Sequence, residues 1–130
     1  MNFKAIWTAI RKLPVAKWIK PIWKGLLKEA IQECGDWLQK EVQKDFSELG
    51  PKAVEKLVER VERWGVKVTG LVAAIPLPAG VKDRVQGFLS NEPAALKGRL
   101  REAIINGGKD AIDSAFDESQ ALLISKVDSL

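Results

Sequence analysis

Apolar residues recur at spacings of three and four along most of the 130-residue chain. That period marks one face of an α-helix. Phe3, Ile6, Trp7, Ile10 and Leu13 form the first run, behind Asn2 as a capping residue. Val15, Trp18, Ile19, Ile22, Trp23 and Leu26 form a second, which begins near Pro14 and passes Pro21. Proline fits the first turn of a helix, where its missing N–H has no partner to lose. Pro21 therefore kinks one helix or separates two. The stripe continues through Leu27, Ile31, Cys34, Leu38, Val42, Phe46 and Leu49, with Lys40, Glu41, Lys44, Asp45 and Glu48 opposite. This pattern predicts a long amphipathic helix that ends at Gly50.

"LGP" (49–51) is a stop and a restart, because glycine closes one helix and proline opens the next. The helix after it places Val54, Leu57, Val58, Val61 and Trp64 on one stripe. "WGVKVTGLVAAIPLPAG" (64–80) is mostly apolar and predicts a buried helix to about Ala74, then a "PLPAG" loop. A short strand carrying Val66, Val68 and Val72 is the alternative. Val81 to Leu89 predicts a short helix. "SNEP" (90–93) supplies caps and an opening proline for another, which runs to about Ile105 and ends at "NGG" (106–108). A last helix spans roughly Lys109 to Val127, with Ile112, Ala115, Phe116, Leu122, Leu123 and Val127 apolar. The expected fold is all-α, a bundle or stack of five to seven amphipathic helices.

Charge changes this picture at one place. Residues 1–28 hold Lys4, Arg11, Lys12, Lys17, Lys20, Lys24 and Lys28 and no acid, a balance of +7. The other 102 residues hold 14 basic and 17 acidic side chains, a balance of −3. The chain thus divides into a basic Trp/Lys-rich amphipathic segment (1–28) and a helical domain (29–130). A split of this kind points to an anionic partner for the basic part, or to docking of the basic part on the acidic remainder of the same chain or of a neighbour.

Candidate chemistry is sparse. The chain has no histidine and one cysteine, which excludes Ser-His-Asp and Cys-His arrangements, Cys/His zinc sites and an intrachain disulfide. Cys34 lies among apolar helical positions and is expected to be buried. No phosphate-cradling glycine motif occurs. Glu29 and Glu33, and Asp110, Asp113 and Asp117, share helix faces, and both groups are expected to be solvated. No enzymatic reaction, metal or cofactor is expected.

The stretch "KAIWTAIRKLPVAKWIKPIWKGLLK" (4–28) interleaves Trp7, Trp18 and Trp23 with the seven cations. Its composition resembles that of small Lys/Trp-rich membrane-active peptides. Indole rings favour the lipid headgroup level and lysines meet anionic lipid. A Trp stripe at helical spacing also serves as core or as a subunit interface; the complete lack of acids favours a surface role. The expected contact residues are Phe3, Lys4, Ile6, Trp7, Ile10, Arg11, Lys12, Lys17, Trp18, Lys20, Trp23, Lys24 and Lys28. The expected function is a non-enzymatic interaction protein docking on an anionic membrane surface. The alternative is a structural component of a large oligomeric assembly such as a virion, with the same helices as a subunit or genome-facing interface. Nucleic acid ranks lower and would be bound non-specifically, since Arg11 is the one arginine in the stretch.

No stretch reads as a secretory signal, and no run of about 18 charge-free apolar residues predicts a spanning helix. A peripheral membrane position or a place within an assembly is expected. Homo-oligomerisation is expected too. The stripe from Leu27 to Leu49 is ~34 Å long at 1.5 Å per residue, more than a small bundle readily covers.

Overall fold

The computed structural model describes Thr8 and residues 20–130. Four α-helices account for nearly all of the described residues: α1 (Lys20–Leu49), α2 (Val54–Ala74), α3 (Ala79–Glu102) and α4 (Lys109–Asp128). A 3-10 turn, Gly50–Ala53, joins α1 to α2, and a π turn, Ala103–Gly107, follows α3. No strand occurs among the described residues. The all-α expectation holds. The number of helices is four among the described residues, against five to seven expected over the chain. The helices expected before Lys20 lie outside the described residues.

The helix boundaries follow local chemistry. Gly50 takes a left-handed φ of +59°, which glycine adopts without a Cβ penalty. Pro51 then opens the turn. Ile75 is extended (ψ 125°), as a residue before proline must be. Gly108 has φ 152° and ψ −161°, a region open essentially to glycine alone, and it separates the π turn from α4. The segment 64–74 is helical. Val68 and Val72 point inward while Val66 is 74% exposed, which rules out the strand alternative. The last two residues of "PLPAG" already belong to α3.

The correction to the helix count comes from Pro93. The sequence pattern expects "SNEP" to separate two helices, yet α3 runs through it. Val85, Leu89, Leu96 and Leu100 keep one buried face continuous across the proline. Each such side chain contributes about 1.5–3 kcal/mol on burial, together more than the ~3 kcal/mol typical of an interior proline. Ser90 Oγ and Asn91 Nδ2 donate back to the Gly87 carbonyl at 2.9 and 3.2 Å. They therefore bond to the helix from within and do not start a new one. Gly65 of α2 faces the ring: a Cβ there would stand 3.9 Å from Pro93 Cγ.

Each helix packs on two neighbours, α1 on α2 and α4, and α3 on α2 and α4. This is an up-down-up-down four-helix bundle. Its core combines Leu27, Ile31, Cys34 and Leu38 of α1 with Val61 and Trp64 of α2, Leu96 and Leu100 of α3, and Ile112, Phe116 and Leu123 of α4. The α1 stripe is covered within the chain from Leu27 to Val42, and Leu49 emerges at its end. Stripe length therefore gives no reason for self-association. Val58 and Leu122 also differ from expectation, at 47% and 38% exposed. Each sits beside a residue that already fills the inward direction, Leu57 and Leu123 respectively.

Candidate functional site

The start of α1 carries the described part of the basic segment. Lys20 is exposed. Trp23 is 3% exposed and belongs to the core. Lys24 Nζ donates to the Asp128 backbone carbonyl at 2.9 Å, and Lys28 forms an ion pair with the Asp128 carboxylate. Both lysines thus sit at the C-terminal end of α4, where unsatisfied carbonyls favour cations. Phe3, Lys4, Ile6, Trp7, Ile10, Arg11, Lys12, Lys17 and Trp18 lie outside the described residues.

The same side of α1 carries a polar seam that holds α4 antiparallel. Gln120 Nε2 reaches the carbonyls of Ile31 and Gln32, both at 3.4 Å. Gly35 makes room for it, since a Cβ there would collide with the Gln120 amide. Gln39 and Gln43 donate to Asp113 Oδ1 at 2.7 and 2.9 Å, and Gln43 also donates to the Lys109 carbonyl at 3.0 Å. These donors hold the Asp113 carboxyl below its usual range, the Gln39 bond contributing most. Asp113 was expected on a solvated face. It is half-buried instead, while Asp110 and Asp117 are exposed. Gln39, Gln43 and Gln120 were missed. Their one visible signal is the position of Gln39 and Gln43, each next to a stripe residue and four apart.

Two further polar clusters lie between helices. Arg60 of α2 donates from Nε and Nη2 to Asp45 of α1, at 2.9 and 3.2 Å, and Nη1 lies 3.2 Å from Glu41 Oε2. Asp45 is 3% exposed, although the pattern placed it on the wet face of α1. The hydrogen bond to Asp45 raises the Arg60 guanidinium above its already high range, against the opposing effect of burial. On the other side of the bundle, Arg99 Nη1 donates to Ser119 Oγ at 2.9 Å and lies 3.5 Å from Glu92 Oε1. Burial pushes the Glu92 carboxyl up, against Arg99, Lys126 and the Ser119 hydrogen bond.

Cys34 is fully buried, and its thiol is pushed up to about 12 by burial. It is a core side chain, as expected, and far from the thiolate form that reacts or binds metal. Glu29 is exposed and Glu33 half-buried. Among the described residues, no three Cys, Asp or Glu side chains converge as a metal-binding group. No described helix is long and apolar enough to cross a membrane.

No family model, curated protein or solved structure matches this chain.

Proposed function

We propose that the four-helix body carries the basic, Trp-rich N-terminal segment as a docking element for an anionic membrane surface, with no catalytic role. The observation that carries this reading is the charge partition, +7 over residues 1–28 against −3 over the rest. Each lysine held near an anionic surface contributes ~1 kcal/mol, and Trp rings add apolar burial at the headgroup level. The described residues narrow the contact set. Trp23 is committed to the core and Lys24 and Lys28 to Asp128. The proposed contacts are therefore Phe3, Lys4, Ile6, Trp7, Ile10, Arg11, Lys12, Lys17, Trp18 and Lys20.

Vesicle flotation tests this. Phosphatidylcholine vesicles containing phosphatidylglycerol should carry the protein upward, and pure phosphatidylcholine vesicles should not. Raising salt well above the physiological level should release it, because screening then acts within a few ångströms. Equal binding to both vesicle types, or none to either, would overturn the proposal.

A second reading makes the chain a subunit of a large assembly. It draws on Val66, 74% exposed, which borders a groove with half-buried Trp37. Lys67 Nζ lies 5.0 Å from the Trp37 ring centroid in that groove. Sedimentation of the purified chain tests this reading through its oligomeric state.

A further inference from the structure

At the end of the bundle away from Lys20, a cleft opens between the first turns of α2 and the last turns of α3. Val54, Leu57 and Val58 form its α2 wall, and Ala94 and Gly98 its α3 floor. Small side chains one turn apart on α3 are what keep it open. A Cβ at Gly98 would meet nothing within 4 Å. Val58 is 47% exposed there, so apolar surface is left uncovered.

The rim has one sign of charge. Lys97 and Arg101 line it, and no acidic residue does. They stand four apart, hence on one side of the helix. Both are exposed, and neither pairs with an acid among the described residues. The other interhelical cations behave differently: Arg60 and Arg99 each engage a buried carboxylate. An apolar floor beside two unpaired cations is complementary to a ligand with an apolar body and an anionic head.

Size narrows the class. The cleft encloses about 240 Å³, just below the span usual for drug-sized sites. From Ala94 to Arg101 the α3 wall is ~10 Å long. A single slender chain fits that space and a two-chain lipid does not. We infer that this cleft binds a single-chain anionic amphiphile, a medium-chain fatty acid, with its chain along Val54, Val58 and Gly98 and its carboxylate between Lys97 and Arg101. Arg101 presents a planar fork to the carboxylate, and Lys97 a mobile point charge. This site stands apart from the proposed membrane docking, since it uses no residue of the basic segment.

Titration calorimetry of the full chain with octanoate, whose extended chain matches the ~10 Å wall, tests the inference. One saturable site is expected, with octanol at least tenfold weaker and acetate showing no binding. Lys97→Gln with Arg101→Gln, two exposed changes, should weaken octanoate at least tenfold. Gly98→Leu should abolish binding by filling the floor while keeping full helicity and a melting temperature no lower than the parent's. Both variants leave residues 1–28 intact, so octanoate held by the basic segment would survive in them. Unchanged affinity in either variant, equal affinity for octanol, or no octanoate binding by the parent would overturn the inference.

Discussion

Arg60 of α2 grips Asp45 of α1 through two hydrogen bonds, at 2.9 and 3.2 Å, on a carboxylate that is otherwise shut away from water. The two partners are not equivalent. Arg60 also reaches Glu41 and keeps some solvent contact, whereas Asp45 is almost fully buried.

Removing the cation should therefore hurt more than removing the anion. Arg60→Ala leaves a buried carboxylate unpaired and should destabilise the bundle by ~3–5 kcal/mol. Asp45→Ala leaves Arg60 with Glu41 and should have a smaller effect. Urea unfolding of both variants measures the difference. Equal losses would show that the ion pair acts as one unit with no asymmetry.

The three N-terminal tryptophans should separate. Trp23→Ala removes a core ring and should cost ~3–5 kcal/mol, lowering the melting temperature by tens of degrees in a domain of this size. Trp7→Ala with Trp18→Ala should melt near the parent and lose binding to anionic vesicles, if these two rings are the anchors proposed. Circular dichroism and flotation on the same samples give both readouts. A large stability loss in the double variant would assign those rings to the core.

Two carboxylates should give opposite pH responses. The folded value of Glu92 is raised, so its contribution is full below the ordinary glutamate value and is lost as pH rises through the folded value. The folded value of Asp113 is lowered, so its contribution is present above the ordinary aspartate value and is lost as pH falls through the folded one. Glu92→Gln should thus gain stability relative to the parent as pH rises above the ordinary glutamate value. Asp113→Asn should flatten the acid-side loss. Melting temperatures from strongly acidic to neutral pH decide it; parallel curves for parent and variants would refute both assignments.

Cys34 should report global opening. A buried thiol raised to about 12 carries almost no thiolate at neutral pH and no reagent reaches it. Labelling by a disulfide reagent should be negligible in the native chain. It should rise with urea in step with loss of helicity. Fast labelling without denaturant would mean that α1 opens locally around Cys34.

Much of this architecture was legible because periodicity and glycine-proline punctuation are local signals. The long α1, the break at Gly50–Pro51 and the end at Asn106–Gly107–Gly108 all follow from them. Pro93 was misread because its neighbours resemble a helix start. What kept α3 whole is the burial of Leu89, Leu96 and Leu100, a property of the assembled bundle. Asp45 and Asp113 were misplaced for a related reason. A charged residue at the edge of a stripe is wet or enclosed according to where the next helix crosses, and one chain's pattern does not encode that angle. Trp23 lies on the same stripe as Trp18, so the pattern alone gave both the same role.

The tie between Lys24, Lys28 and Asp128 has a mechanical consequence. It places the first residues of α1 beside the last residues of α4, at one end of the bundle. A load applied between those two ends opens the pair like a zipper. The lysine contacts at Asp128 carry the force first, then Gln120, then Asp113. The resisting bonds are met one after another, so the bundle yields at low force along this axis. A load that enters at Lys20 and leaves at Lys109, the opposite end of α4, instead shears α1 against α4 and meets all of those bonds at once.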